Sequence, residues 1–134
     1  MVSLYFIGLF WLLFAHCMAD FAFQSGFIAE YKSKDLWVLV VHCIIYTGCV
    51  MFATVFISPF ISASTLILGV GIPIFLSHFI VDAWKVKARM QIGIDDEPVS
   101  DNEAFKEDQR IFHMDQVIHI TILIVLDFFL VIFQ

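Results

Sequence analysis

The chain has 134 residues, 61% of them hydrophobic and 15% charged, with a mean hydropathy of +0.93. Soluble domains are roughly 45–50% apolar and about 25% charged, and so short a chain leaves about a third of its surface wet. Seven basic and 13 acidic residues cannot cover that surface, which excludes a soluble enzyme and a disordered tail. The net charge of −6 also speaks against a nucleic-acid partner, because phosphate binding needs a basic face. The composition is that of a small integral membrane protein whose first partner is the lipid bilayer.

A bilayer core of about 30 Å takes about 20 apolar residues per helix, and the sequence offers four such runs. The first covers about 3–23 and is interrupted only by His16 and Asp20. No Lys or Arg precedes Lys32, so the segment lacks the basic start of a secretory signal and is expected to be retained. The second covers about 36–57, broken only by His42. Ser58-Pro59 and Ser62-Ala63-Ser64 then predict a short turn. The third run, about 65–84, contains Gly69, Gly71 and Pro73, which membrane helices tolerate. A polar stretch over 85–110, with the acidic run Asp95-Asp96-Glu97-Pro98, reads as a loop or surface helix, and the fourth run covers about 114–133. The fold expected is an all-α, single four-helix transmembrane domain over 1–134, built as two hairpins. Cys17, Cys43 and Cys49 fall inside apolar runs without CxxC spacing and read as small buried hydrophobes.

Basic residues mark the cytoplasmic side. Lys32 and Lys34 lie between the first two spans, and Lys85, Lys87, Arg89, Lys106 and Arg110 between the last two. All of them fall on one side, which puts both termini outside. Trp37 and Trp84, near the cytoplasmic ends of their spans, suit the aromatic belt.

Ionisable side chains within a span are costly and by default mark function. Here they recur in a pattern: His16-x-x-x-Asp20, His78-x-x-x-Asp82 and, reversed, Asp115-x-x-x-His119, with His42 alone in the second span. Residues at i and i+4 share one helix face. With the termini outside, the direction of each span makes His the deeper member of every pair and Asp the nearer to the cytoplasm. His42 enters its span at a similar depth. The likeness of the two hairpins suggests a parallel internal repeat about the membrane normal.

Imidazole and carboxylate without a positioned thiolate suit a divalent ion such as Zn²⁺, Mn²⁺ or Fe²⁺. His16, His42, His78, His119, Asp20, Asp82 and Asp115 are the candidate ligands, enough for one ion with orienting partners or for two ions. Asp20, Asp82 and Asp115 are also the candidate catalytic carboxylates, since a metal-activated water is a nucleophile for hydrolysis. Gln24, Lys32, Lys85 and Gln116 form a polar rim able to meet a phosphate or carboxylate, although both lysines also suit interfacial anchors. Asp127 lies outside these layers and is read as a helix–helix or oligomer contact. His113 is read as a surface residue, and the 16 Phe as lipid-facing or packing residues.

His16-x-x-x-Asp20-Phe21-x-x-Gln24, then Lys32 and His42, then Ser77-His78-Phe79-x-x-Asp82-x-x-Lys85, then Asp115-Gln116-x-x-His119 resemble a family of small bacterial and phage membrane proteins. That family is catalogued as domain of unknown function 3307. The resemblance covers nearly the whole chain and implies a multi-span protein of the bacterial inner membrane, but no reaction. The residues themselves lead to the functional expectation. It is a divalent-metal site in the cytoplasmic leaflet, hydrolysing a lipid-linked or phosphoester substrate. The alternatives are a transporter of protons, metal ions or a small solute, and a non-catalytic interaction protein whose His/Asp network is structural. A homo-oligomer is left open, no GxxxG motif marking an interface.

Overall fold

The computed structural model describes residues 2–92 and 102–132, and every regular element among them is a helix. In hydrocarbon each backbone polar group must be satisfied inside its own segment, which an uninterrupted helix does. Helix α1, Val2–Cys17, runs on into a wider π-helical turn at Met18–Ala22, closed by the Phe23 amide on the Met18 carbonyl at 2.7 Å. A short α2, Gly26–Tyr31, is started by the Ser25 hydroxyl, which accepts from the Ile28 amide at 3.3 Å. Helix α3, Leu36–Ile57, is capped by Asp35, whose carboxylate accepts from the Trp37 amide at 2.7 Å and that of Val38 at 3.4 Å. Such a cap stabilises by about 1 kcal/mol.

After the turn at 58–64 the chain re-enters through a second π-helical stretch, Thr65–Gly71, before α4, Ile72–Gln91. Pro73 gives a physical reason for the widening. It has no amide hydrogen, and in a regular α-ladder its ring would meet the carbonyl of Gly69. The Ile72 amide instead reaches the carbonyl of Ile67. Helix α5 covers Asn102–Ile132.

Among the described residues, four helices are long and apolar enough to cross a membrane: Tyr5–Ala22, Leu36–Ile57, Thr65–Gln91 and Glu103–Ile132. The polar stretch 85–110 is helical at both ends, so the last two helices outrun the spans expected at 65–84 and 114–133. Ala104, Lys106, Glu107, Gln109 and Arg110 are helix formers, and Arg110 pairs with Glu107 one turn back at 3.0 Å. Arg89 on α4 joins Asp108 on α5 at 2.7 Å, tying the two extensions together. The acidic run Asp95–Pro98 lies outside the described residues.

Each long helix packs against its predecessor, and α5 closes the ring against α1. This is the up-and-down arrangement of a four-helix bundle. One half of the interior is apolar, built on Leu12, Val50, Ala53, Ile57, Ile74 and Leu123. The outside is apolar too, with Phe6, Phe10, Phe52, Ile80 and Phe128 exposed, a surface suited to acyl chains. Cys43 is buried, but Cys17 is exposed on this outer face rather than packed inside, because it follows His16 and so points away from the bundle axis. Asp127, expected to be covered by a helix or an oligomer partner, is buried within the single chain against Gly8.

Candidate metal centre

The other half of the interior is polar. His16, His42, His78, His119, Asp82 and Asp115 are all buried, and the Asp20 side chain is only 9% exposed. The seven residues come from all four long helices and form one connected cluster. Asp20 enters it from the π-helical turn after α1, a local widening often found at functional sites.

The centre of the cluster is the pair His42 and His78, whose Nε2 atoms are 3.1 Å apart. Asp20 Oδ1 lies 3.4 Å from His42 Nε2 and 3.7 Å from His78 Nε2. Asp82 Oδ2 stands at 3.4 and 3.7 Å from the same two atoms. Among the described residues, two donor groups are compact enough to hold a metal ion: Asp20, His42 and His78, and His78, Asp82 and His119. His78 belongs to both, and a single ring nitrogen ligates one ion at a time.

His16 and Asp115 stand outside these two groups. The imidazole of His16 is spoken for at both nitrogens: Nε2 faces the Gln116 side-chain oxygen at 3.1 Å and Nδ1 the Tyr46 hydroxyl at 3.2 Å. An acceptor at Nε2 assigns the proton there, so Nδ1 accepts from Tyr46. Asp115 accepts from Lys85 at 2.7 Å and from the Gln116 amide at 3.1 Å. Several other atoms of the cluster are buried without a hydrogen-bond partner among the described residues: Asp20 Oδ1, Asp115 Oδ1, the Nδ1 atoms of His42 and His78, and both ring nitrogens of His119. Buried polar atoms are seldom left so.

The expected rim also has its place. Lys32 is not a peripheral anchor: its ammonium donates to Asp82 Oδ2 and lies equally near His42 Nε2, both at 3.3 Å, and donates to Gln24 Oε1 at 3.0 Å. A cavity of about 380 Å³ opens at this end, lined by Asp20, Asp82, Asp115, Lys32, Lys85 and Arg89 among others. The imidazoles lie behind the carboxylates, as the helix directions require. His113 is exposed and apart from the cluster.

One participant escaped the sequence reading. Tyr46 is 2% exposed and sits among the imidazoles, stacked on His78 and in ring contact with His16 and His119. Its spacing was the available signal, because it follows His42 by four residues and so shares that helix face.

Fold and site together define the class: a helical protein whose described residues hold four helices able to cross a membrane and a buried His/Asp cluster at its charged end. Residues 9–134 match the family described as Protein of unknown function (DUF3307), and the chain belongs to that family. Searches of curated proteins and of solved structures found no match to it.

Proposed function

We propose that this chain binds a divalent cation at Asp20, His42 and His78, with Asp82 beside the same two imidazoles, and that it is a metal-dependent hydrolase acting on a lipid-linked or other phosphoester at the membrane surface. The observation that carries the reading is the spacing of the donor atoms. Ligands on a tetrahedral ion with bonds of roughly 2.0–2.1 Å lie about 3.3–3.4 Å apart, and the His42 and His78 nitrogens and Asp20 Oδ1 are separated by 3.1 to 3.7 Å, with Asp82 Oδ2 at 3.4 and 3.7 Å from the same two nitrogens. Charge points the same way. Asp20, Asp82 and Asp115 share the cluster with two ammonium groups, Lys32 and Lys85, which leaves one carboxylate uncompensated in a medium where that is costly.

A divalent ion supplies Lewis-acid polarisation and water of lowered pKa. Within the chain, Asp115 faces the cavity outside both donor groups and is the carboxylate placed to accept a proton. Lys85 donates to it, and Gln116 links it to His16. His119 is the reserve ligand, able to replace Asp20 and His42 beside His78 and Asp82. The clustering of Lys and Arg at the site's end favours the cytoplasmic leaflet of a bacterial inner membrane for it, with both termini outside. The repeated His–Asp pairs fit a parallel internal repeat. Transport is the weaker reading, because beyond Tyr46 the interior is closed by Leu12, Val50, Ala53 and Leu123.

Lys32 favours a second reading. Its ammonium already touches His42 and Asp82 and would act as the cluster's own cation in a purely structural network. Elemental analysis of protein purified without chelator separates the two. The metal reading expects about one Zn, Mn or Fe per chain, and tighter binding in Lys32→Met, where the competing charge is gone. Metal-free protein that takes up none of the three on dialysis, with Lys32→Met equally empty, leaves the structural network.

A further inference from the structure

Resting on that reading, we propose that the cavity at the charged end is a phosphate-monoester site that becomes competent only once the cation is in place. Its ionisable lining consists of three cations, Lys32, Lys85 and Arg89, and four carboxylates, Asp20, Asp82, Asp108 and Asp115. Each cation faces a carboxylate: Lys32 meets Asp82 at 3.3 Å, Lys85 meets Asp115 at 2.7 Å, and Arg89 meets Asp108 at 2.7 Å. The metal-free cavity is therefore net negative and repels an anion. A divalent ion reverses that sign, and it does so at Asp20 and Asp82, the carboxylates that also form the floor of the cavity.

The same ion changes what Lys32 does. Two positive charges cannot share the 3.3 Å neighbourhood of His42 Nε2 and Asp82 Oδ2, so the flexible lysine stem swings its ammonium away from them into the open cavity, on the side where it already donates to Gln24. Metal binding thus both removes the negative excess and delivers a donor to the mouth. Arg89 supplies a planar guanidinium there, the geometry that suits a phosphoryl group. The ligand class is a phosphate monoester with its charge at the level of the lipid headgroups, either the headgroup itself or a free phosphate.

The test uses the full chain in nanodiscs of phosphatidylcholine, titrated by calorimetry with inorganic phosphate and, separately, with short-chain phosphatidic acid, each with and without Mn²⁺. Binding of either probe only when Mn²⁺ is bound supports the proposal, and the tighter probe identifies the source. Arg89→Gln is expected to weaken phosphate binding about tenfold, the loss of one charge-assisted contact, while Mn²⁺ affinity stays within about twofold. Phosphate binding of equal strength without Mn²⁺, or unchanged in Arg89→Gln, overturns it. Mn²⁺ bound with neither probe taken up overturns this inference alone. Failure to bind Mn²⁺, Zn²⁺ or Fe²⁺ at all overturns the metal reading beneath it.

Discussion

Tyr46 lies flat against His78, the two ring centroids 3.6 Å apart and the planes 15° from parallel, while its hydroxyl meets His16 Nδ1 at 3.2 Å. One side chain from α3 thereby fixes the ring plane of a candidate ligand on α4 and donates to the accepting nitrogen of an imidazole on α1. Tyr46→Phe keeps the stack and loses only the hydroxyl, which costs about 1 kcal/mol. Tyr46→Ala also opens a void and costs about 3–5 kcal/mol. Thermal unfolding in detergent reads both. Because orienting partners of metal ligands matter by about 10–100-fold, Tyr46→Ala should lower metal affinity by that much, and Tyr46→Phe far less. Equal effects of the two would mean that the ring stack positions nothing.

His78 is common to both donor groups, and His16 belongs to neither because its nitrogens are taken by Tyr46 and Gln116. The two histidines should therefore separate on substitution. His78→Ala is expected to abolish stoichiometric metal in elemental analysis. His16→Ala should retain it with affinity weakened by at most about 10–100-fold, the range for an outer partner. The reverse order would move the site toward α1.

The histidines and aspartates were legible in the sequence because their surroundings are so apolar. In a run such as Val40-Val41-His42-Cys43-Ile44 an imidazole has nowhere to go but inward, and the i, i+4 pairs then share a face. Helix direction adds the layering, carboxylates outward and imidazoles behind. Three things were not legible. Tyr46 is amphipathic, and by composition alone it belongs with the lipid-facing aromatics. Lys32 sits outside any span, and only the fold of 24–35 turns its long stem back onto Asp82. The extent of α4 and α5 was hidden because hydropathy marks where a helix leaves the membrane, not where it stops. Lys85–Gln91 and 102–113 are polar and still helical.

The Lys85–Asp115 pair is short at 2.7 Å and unequal in exposure, 18% for the lysine side chain and 1% for the aspartate. Removing the lysine alone strands a buried carboxylate, so Lys85→Met should cost about 3–5 kcal/mol. Removing both charges should cost much less, and Lys85→Met with Asp115→Asn is expected to recover more than half of that loss. The comparison is again a thermal unfolding series in one detergent. Additive losses would show that the two groups do not depend on one another.

Gly8 and Asp127 form a second polar feature, in the apolar half of the bundle. Asp127 is 4% exposed, and a Cβ added at Gly8 would run into its carboxylate while meeting Ile57 only at ordinary van der Waals distance. The glycine is thus the space in which the carboxyl group sits, on a helix where alanine would otherwise be favoured by about 1 kcal/mol. Gly8→Ala should destabilise by about 1–3 kcal/mol through overpacking. Asp127→Ala clears the same space, so Gly8→Ala should become neutral or mildly stabilising in that background. The double-mutant cycle measures this directly, with a coupling of about 1 kcal/mol or more expected for residues in contact. A coupling near zero would mean that α1 and α5 do not meet at these two positions.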